Sequence, residues 1–67
     1  MNYLYIPELD NLAINMDNVK RIYIDSTYDC KLCYSFHNGD SSTYIIRREN
    51  LETVKYRLDM FFLNKEN

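Results

Sequence analysis

The sequence predicts a small α+β domain, an antiparallel β-meander of three to four strands with one C-terminal amphipathic helix packed on one face. Three observations predict this class. From Tyr28 to His37 apolar and polar residues alternate, which is the period of a half-buried strand. Asn38 and Gly39 then form the dipeptide most typical of a tight hairpin turn. After Asn50 the apolar residues recur with the period of a helix.

The first part of the chain predicts short strands. Tyr3 to Ile6 is rich in β-prone residues and ends at Pro7, which cannot donate to a ladder. Residues 12–16 alternate between apolar and small or polar side chains, and Val19 to Ile24 is rich in β-branched and aromatic residues. The sequence leaves open whether residues 1–11 join the sheet.

The strand from Val19 to Ile24 carries Ile22 and Ile24 on one face. These two residues share a face with Tyr28 and Cys30 only if the connecting loop has an odd number of residues, for instance residues 25–27. We expect an odd loop, because a slip of one residue would turn the apolar set towards solvent.

A two-residue loop at Asn38 and Gly39 would fix the register of the next hairpin. Leu32 would then pair with Ile45, and Tyr34 with Thr43, on the inner face. Ser41 to Arg47 is the expected partner strand. The outer face would present three residues without an internal partner, namely Cys33, Tyr44 and Ile46.

The C-terminal segment predicts an amphipathic helix with Asn50 as its N-cap and Glu52 in its first turn, where the helix dipole favours negative charge. Five apolar residues within about 100° of arc form the stripe expected to face the core. They are Leu51, Val54, Leu58, Phe61 and Phe62. A second apolar group lies almost opposite, namely Tyr56, Met60 and Leu63. The helix of a solitary 67-residue domain does not need this second group, so it predicts an interface with a protein.

The length of 67 residues allows one core, so we expect a single domain over residues 1–67 with its ordered part at about 3–63. The net charge is −2, and the first 29 residues hold five acidic and two basic residues. No run approaches the ~20 apolar residues of a membrane span, and the N-terminus lacks the features of a signal peptide. We therefore expect no membrane and a cytoplasmic location, that of the host cell if the protein is phage-encoded.

The residues that could carry chemistry do not form a recognisable catalytic site. Cys30 and Cys33 lie in mid-strand, where a spacing of three sends their side chains to opposite faces, so we expect two free thiols. His37 and Asp40 flank a hairpin turn that offers no nucleophile and no cleft. Gly39 is the only glycine, which excludes a glycine-rich phosphate loop. We expect no enzymatic activity, no cofactor and no metal.

The layout resembles that of small uncharacterised proteins from phages and low-GC bacteria. The resemblance rests on a D-N-V-x-x-I-x-I stretch at Asp17 to Ile24, an F-x-N-G hairpin at Phe36 to Gly39 and the helix, and it covers about residues 14–63. In outline the chain is also similar to the flagellar protein family typified by FlbD, and to single-strand-binding coactivator domains, whose four strands and helix form dimers. The phage-like resemblance implies a small accessory or inhibitor protein that acts by binding.

Our first hypothesis is a non-catalytic protein-binding module, a homodimer through its second helix stripe, which blocks a host protein such as a defence enzyme. Its partner would be a protein, toward which four acidic residues could mimic nucleic-acid phosphate. These are Glu8, Asp10, Asp17 and Asp25. The alternative is a dimeric single-stranded nucleic-acid-binding protein that uses Arg47 and Arg48 with Tyr44 as a stacking platform.

Overall fold

The computed structural model describes residues 2–65 and consists of five strands and one α-helix. The strands are β1 (Tyr3–Ile6), β2 (Leu12–Asn15), β3 (Val19–Asp25), β4 (Lys31–Phe36) and β5 (Ser41–Ile45). Short 3-10 turns at Met16–Asn18 and Arg48–Asn50 precede β3 and the helix α1 (Leu51–Lys65). The predicted α+β class is confirmed, with five strands in place of three to four.

The strands form two antiparallel sheets. β3, β4 and β5 make the meander, while β1 and β2 form a separate hairpin. Residues near the N-terminus therefore do not join the meander. The loop of this hairpin places Asp10 and Asn11 at φ 56° and 57°. Asp and Asn are the residues other than glycine that best tolerate this left-handed region.

One core joins the hairpin, the meander and the helix. Its fully buried side chains are Ile6 from β1, Leu32 from β4 and Val54 from α1. Seven further residues complete the buried set, namely Leu4, Leu9, Ile14, Met16, Tyr34, Ile46 and Leu58. Burial of each large apolar side chain contributes about 1.5–3 kcal/mol. The helix packs against β1, so the N-terminal hairpin is part of the core.

The loop between β3 and β4 spans residues 26–30, and its odd length is confirmed. The pairing differs from the predicted one, because Ile24 lies opposite Leu32 and Ile22 opposite Tyr34. Tyr28, expected on the inner face, is 95% exposed in the loop. The strand stops early because the Asp25 carboxylate accepts hydrogen bonds from the backbone N–H and the hydroxyl of Thr27, at 3.0 and 2.8 Å.

The predicted two-residue turn is wrong, because Phe36 and Asp40 pair across the hairpin and three residues, 37–39, lie between them. The Gly39 N–H donates to the Phe36 carbonyl at 3.1 Å, and the Phe36 N–H donates to the Asp40 carbonyl at 2.8 Å. Gly39 has φ 99°, while Asn38 does not share a positive φ. This is the pattern of a type I turn followed by a glycine in a bulge, in place of the type I′ turn that Asn-Gly predicts.

The extra loop residue shifts the register of β5 by one position. Leu32 lies opposite Tyr44 and Tyr34 opposite Ser42. Because side chains alternate along a strand, the shift exchanges the two faces of β5. Ile45, predicted to face the core, is 68% exposed, and Ile46, predicted on the outer face, is 3% exposed in the core.

The helix confirms most of the predicted stripe. Val54 and Leu58 are buried, and Leu51 and Phe61 pack against the core. Phe62 is 43% exposed and lies outside the buried stripe. Asn50 is not an N-cap in extended conformation, because it belongs to a 3-10 turn that runs directly into α1.

Candidate protein-binding surfaces

The outer helix patch consists of Tyr56, Met60 and Leu63, which lie on one side of α1. Tyr56 is 62% and Leu63 55% exposed, while Met60 is half-buried. The spacing i, i+4, i+7 aligns the three side chains along the helix. The structure therefore brings together the three residues of the second predicted stripe.

Charged residues lie beside this patch. Glu52 and Lys55 approach each other at 4.0 Å on the same exposed side of the helix, and Asp59 is exposed between the turns of Tyr56 and Leu63. An apolar centre with a charged margin is the usual composition of a protein interface. Phe62 lies outside the patch and makes an edge-to-face contact with Phe61, at 5.5 Å between ring centroids.

The outer face of the meander, which points away from the core, forms a second surface. The Arg21 guanidinium lies 4.7 Å from the centre of the Tyr23 ring, a cation–π distance. Tyr23 lies opposite Cys33, and Cys33 lies opposite Thr43. Together with Ile45 and Lys31, which lies opposite it, these residues make a face that is mixed in character, with hydroxyl groups, two cations and two exposed apolar side chains.

The predicted outer-sheet interface of Cys33, Tyr44 and Ile46 is not assembled. Ile46 is in the core, and the Tyr44 ring stacks on Tyr34 on the inner face with the centroids 6.3 Å apart. Cys33 alone occupies the predicted face, where it is half-buried. Sequence reasoning missed Ile45 as an exposed residue because it assumed a two-residue loop. The signal was present, since a three-residue loop would have placed Ile45 outward.

The alternative nucleic-acid site is also not brought together. Arg47 and Arg48 are exposed, but the ring of Tyr44 is half-buried against Tyr34 and does not form a stacking platform beside them. Arg47 instead lines a depression of about 240 Å³ together with Glu8 and Asp10. The local charge at this position is therefore mixed.

The four acidic residues expected to mimic phosphate have separate structural roles. Glu8 accepts two hydrogen bonds from Arg57, at 2.6 and 2.8 Å, so its charge is paired. Asp17 accepts a hydrogen bond from Asn2, and Asp25 closes the turn after β3. Asp10 lies in the β1–β2 loop beside Glu8. The set therefore does not present four free carboxylates.

The side chains considered for chemistry are those of the two cysteines and of the pair His37 and Asp40. Cys30 and Cys33 are free thiols, as predicted. His37 and Asp40 line an open depression of about 480 Å³ at the hairpin tip, where the Asp40 carboxylate accepts a hydrogen bond from Asn38 at 3.2 Å. Within residues 2–65 no three His, Cys, Asp or Glu side chains lie close enough together to hold a metal ion.

The described part of the chain contains no helix with the length and apolarity needed to cross a membrane. Comparison with protein-family models, curated proteins and solved structures finds no significant match to this chain.

Proposed function

We propose that this protein is a small non-catalytic binding module that docks on another protein through the outer helix patch. The observation that carries the proposal is the exposure of Tyr56 and Leu63 on the side of α1 opposite its core stripe. Tyrosine and methionine are enriched in interface centres, and tyrosine is frequent among the residues that dominate binding energy.

The patch is an anchor and not a complete interface. Taking roughly 200 Å² for a fully exposed large side chain, the patch offers roughly 250 Å². A standard interface buries about 800 Å² on each partner. In a homodimer two such patches would cover only each other, whereas a groove in a different protein also covers the side chains that flank the patch on α1, so we assign the patch to a different protein.

The spacing of the anchors indicates the shape of that surface. Apolar residues at i, i+4 and i+7 are those with which an amphipathic helix fills a hydrophobic groove. The partner therefore presents an apolar groove about two helical turns long, with polar groups at its margin to meet Glu52, Lys55 and Asp59.

The narrower form of the proposal is that binding inhibits a host protein, and its support is the resemblance in layout to small phage proteins. The pairing of Glu8 with Arg57 removes one of the acidic residues on which a phosphate-mimicking mechanism relied. We therefore propose that any inhibition acts by occupying an apolar groove of the target.

The test compares the wild type with a Tyr56→Ser, Leu63→Ser variant and a Tyr28→Ser control, since Tyr28 is exposed on the β3–β4 loop. A protein captured from cells is purified and titrated with each variant by calorimetry. We expect the control to bind like the wild type and the double variant to bind at least about a hundredfold more weakly, as for two central anchors. Equal affinity of the double variant would refute the docking site.

A further inference from the structure

The meander leaves β5 as an edge strand whose backbone groups can be assigned one by one. The Ile46 N–H donates to the Cys30 carbonyl and the Phe36 N–H to the Asp40 carbonyl, each at 2.8 Å. In an antiparallel ladder alternate residues form hydrogen bonds with the neighbouring strand. The backbone N–H and C=O groups of residues 40, 42, 44 and 46 therefore point towards β4. Ser41, Thr43 and Ile45 therefore direct their N–H and C=O groups away from β4 to the open edge.

The strand β5 itself lacks the usual protection against pairing, although Glu8 and Asp10 of the β1–β2 loop line a depression beside Ile45 at its end. Natural edge strands are commonly guarded by charged side chains, proline or bulges. β3, the other edge of the meander, contains Lys20, Arg21 and Asp25 and a register shift between Val19 and Arg21. β5 has the sequence Ser-Ser-Thr-Tyr-Ile, with no charge and no proline, and Ser41, Thr43 and Ile45 are all exposed.

We infer that β5 is a self-association edge, where two copies pair antiparallel about a twofold axis at Thr43 and join their meanders into one six-stranded sheet. In this register Thr43 lies opposite the partner's Thr43, and Ser41 lies opposite the partner's Ile45. Every outward-facing N–H and C=O of residues 41, 43 and 45 then meets a complementary group, which gives six hydrogen bonds across the axis.

The side chains fit the same register. Side chains 41, 43 and 45 share the outer face. Ile45, which is 68% exposed in one copy, therefore packs beside the small side chain of the partner's Ser41. Paired threonines are a favourable cross-strand combination, and no like charges oppose each other. A domain of 67 residues buries a smaller share of its surface than a larger domain does, so the added burial contributes to its stability.

The occupant we assign is a second copy, because the strand complements itself in a symmetric register. This edge is separate from the outer helix patch on α1. A dimer through β5 leaves Tyr56 and Leu63 available for another protein. The dimer and the docking of the outer helix patch can therefore be tested independently of each other. A strand supplied by a different protein is the competing occupant, which the experiment below distinguishes.

The test uses a charge exchange at the symmetry position. Thr43→Lys and Thr43→Glu each place like charges opposite each other in the dimer, and a one-to-one mixture places opposite charges there. By sedimentation velocity we expect a wild-type dimer, a rise of at least about tenfold in the dissociation constant of each single variant, and restored dimer in the mixture. Ser26→Lys, in the exposed β3–β4 loop, is the control and stays dimeric.

A wild type that remains monomeric at millimolar concentration, or variants whose mixture does not reassociate, would overturn the inference. Amide hydrogen exchange on the wild type gives a readout that does not depend on variant folding. Protection of the Ser41, Thr43 and Ile45 amides rises with protein concentration if β5 pairs with a second copy, while the Ser42 and Tyr44 amides are protected at all concentrations. Protection that is independent of concentration at all five amides would contradict it.

Discussion

Arg57 on α1 donates two hydrogen bonds to the Glu8 carboxylate in the β1–β2 loop, from Nε to Oε1 at 2.6 Å and from Nη2 to Oε2 at 2.8 Å. The two residues are 49 positions apart in the chain, and both are half-buried. Paired contacts between guanidinium and carboxylate fix an orientation as well as a distance. This ion pair therefore holds the N-terminal hairpin on the helix, beside the buried contact of β1 with α1.

The ion pair predicts a pH dependence of stability. The hydrogen bonds from Arg57 hold the pKa of Glu8 below its ordinary value of 4.5, and those from Thr27 lower the pKa of Asp25. A carboxylate whose folded-state pKa is depressed stabilises the fold above its unfolded-state pKa, and this stabilisation disappears as the pH falls through the folded-state value. We expect the thermal midpoint of the wild type to fall as the pH is lowered from about 6 to 3.

A matched pair of variants assigns part of this loss to Glu8. Glu8→Gln should have a lower thermal midpoint than the wild type at pH 7 and a smaller decline in acid, because its pairing with Arg57 no longer titrates. Glu52→Gln alters an exposed carboxylate whose contact with Lys55 is 4.0 Å long, and it should follow the wild-type curve. Identical curves for all three proteins would show that the Glu8 contact does not contribute.

The register of β5 predicts opposite results at two neighbouring isoleucines. Ile46→Ala removes a buried side chain and should lower the free energy of unfolding by about 2–5 kcal/mol. Ile45→Ala alters an exposed side chain and should change it by less than about 0.5 kcal/mol. Urea denaturation at low protein concentration measures both. A larger loss of stability for Ile45→Ala than for Ile46→Ala would indicate the register of a two-residue turn and contradict the observed one.

A cross-strand disulfide tests the same register chemically. Cys33 lies opposite Thr43 in a pair that does not exchange backbone hydrogen bonds, where the Cα atoms are about 4.5 Å apart and within disulfide range. In a Cys30→Ala background Thr43→Cys should oxidise readily with Cys33. Tyr44→Cys points to the inner face and should leave both thiols free. Thiol titration and the intact mass of the monomer distinguish the two outcomes.

The hairpin turn predicts a backbone effect at Gly39. Its φ of 99° lies in a region that side chains disfavour, and no atom lies within 4 Å of a Cβ built at this position. Gly39→Ala should therefore cost about 1 kcal/mol through backbone strain alone. Gly39→Asn should cost less, because asparagine tolerates positive φ better than alanine. Equal stability of the wild type and Gly39→Ala, by urea denaturation, would contradict the observed turn.

Local patterns in the sequence predicted the class of the fold and both faces of the helix. The stripe with Val54 and Leu58, and the patch with Tyr56 and Leu63, follow from a period that each turn of helix repeats. The β5 register was missed because Asn38-Gly39 is compatible with two loops that differ by one residue. Since the side-chain period of a strand is two, that residue exchanged the faces of Ile45 and Ile46.

Both N-terminal strands were predicted, but their pairing into a hairpin lay beyond local reasoning for a different reason. Its loop uses two consecutive residues in the left-handed region, Asp10 and Asn11, in place of a glycine or a short turn. The contact of Glu8 with Arg57 joins residues far apart in the chain, and no local pattern marks such a pair. For this reason the sequence predicted an acidic surface with free carboxylates, and only the fold shows the partners of these residues.

The central claim, that the outer helix patch docks on a protein, is tested most directly by photo-crosslinking in cells. A photoreactive amino acid replaces Leu63 in one protein and Tyr28, on the β3–β4 loop, in another. We predict a discrete crosslinked product with a second protein from position 63 and no such product from position 28. The product from position 63 should disappear when the same chain also carries Tyr56→Ser. Equal products from both positions, or no product from position 63 in cells that produce the protein, would contradict the claim.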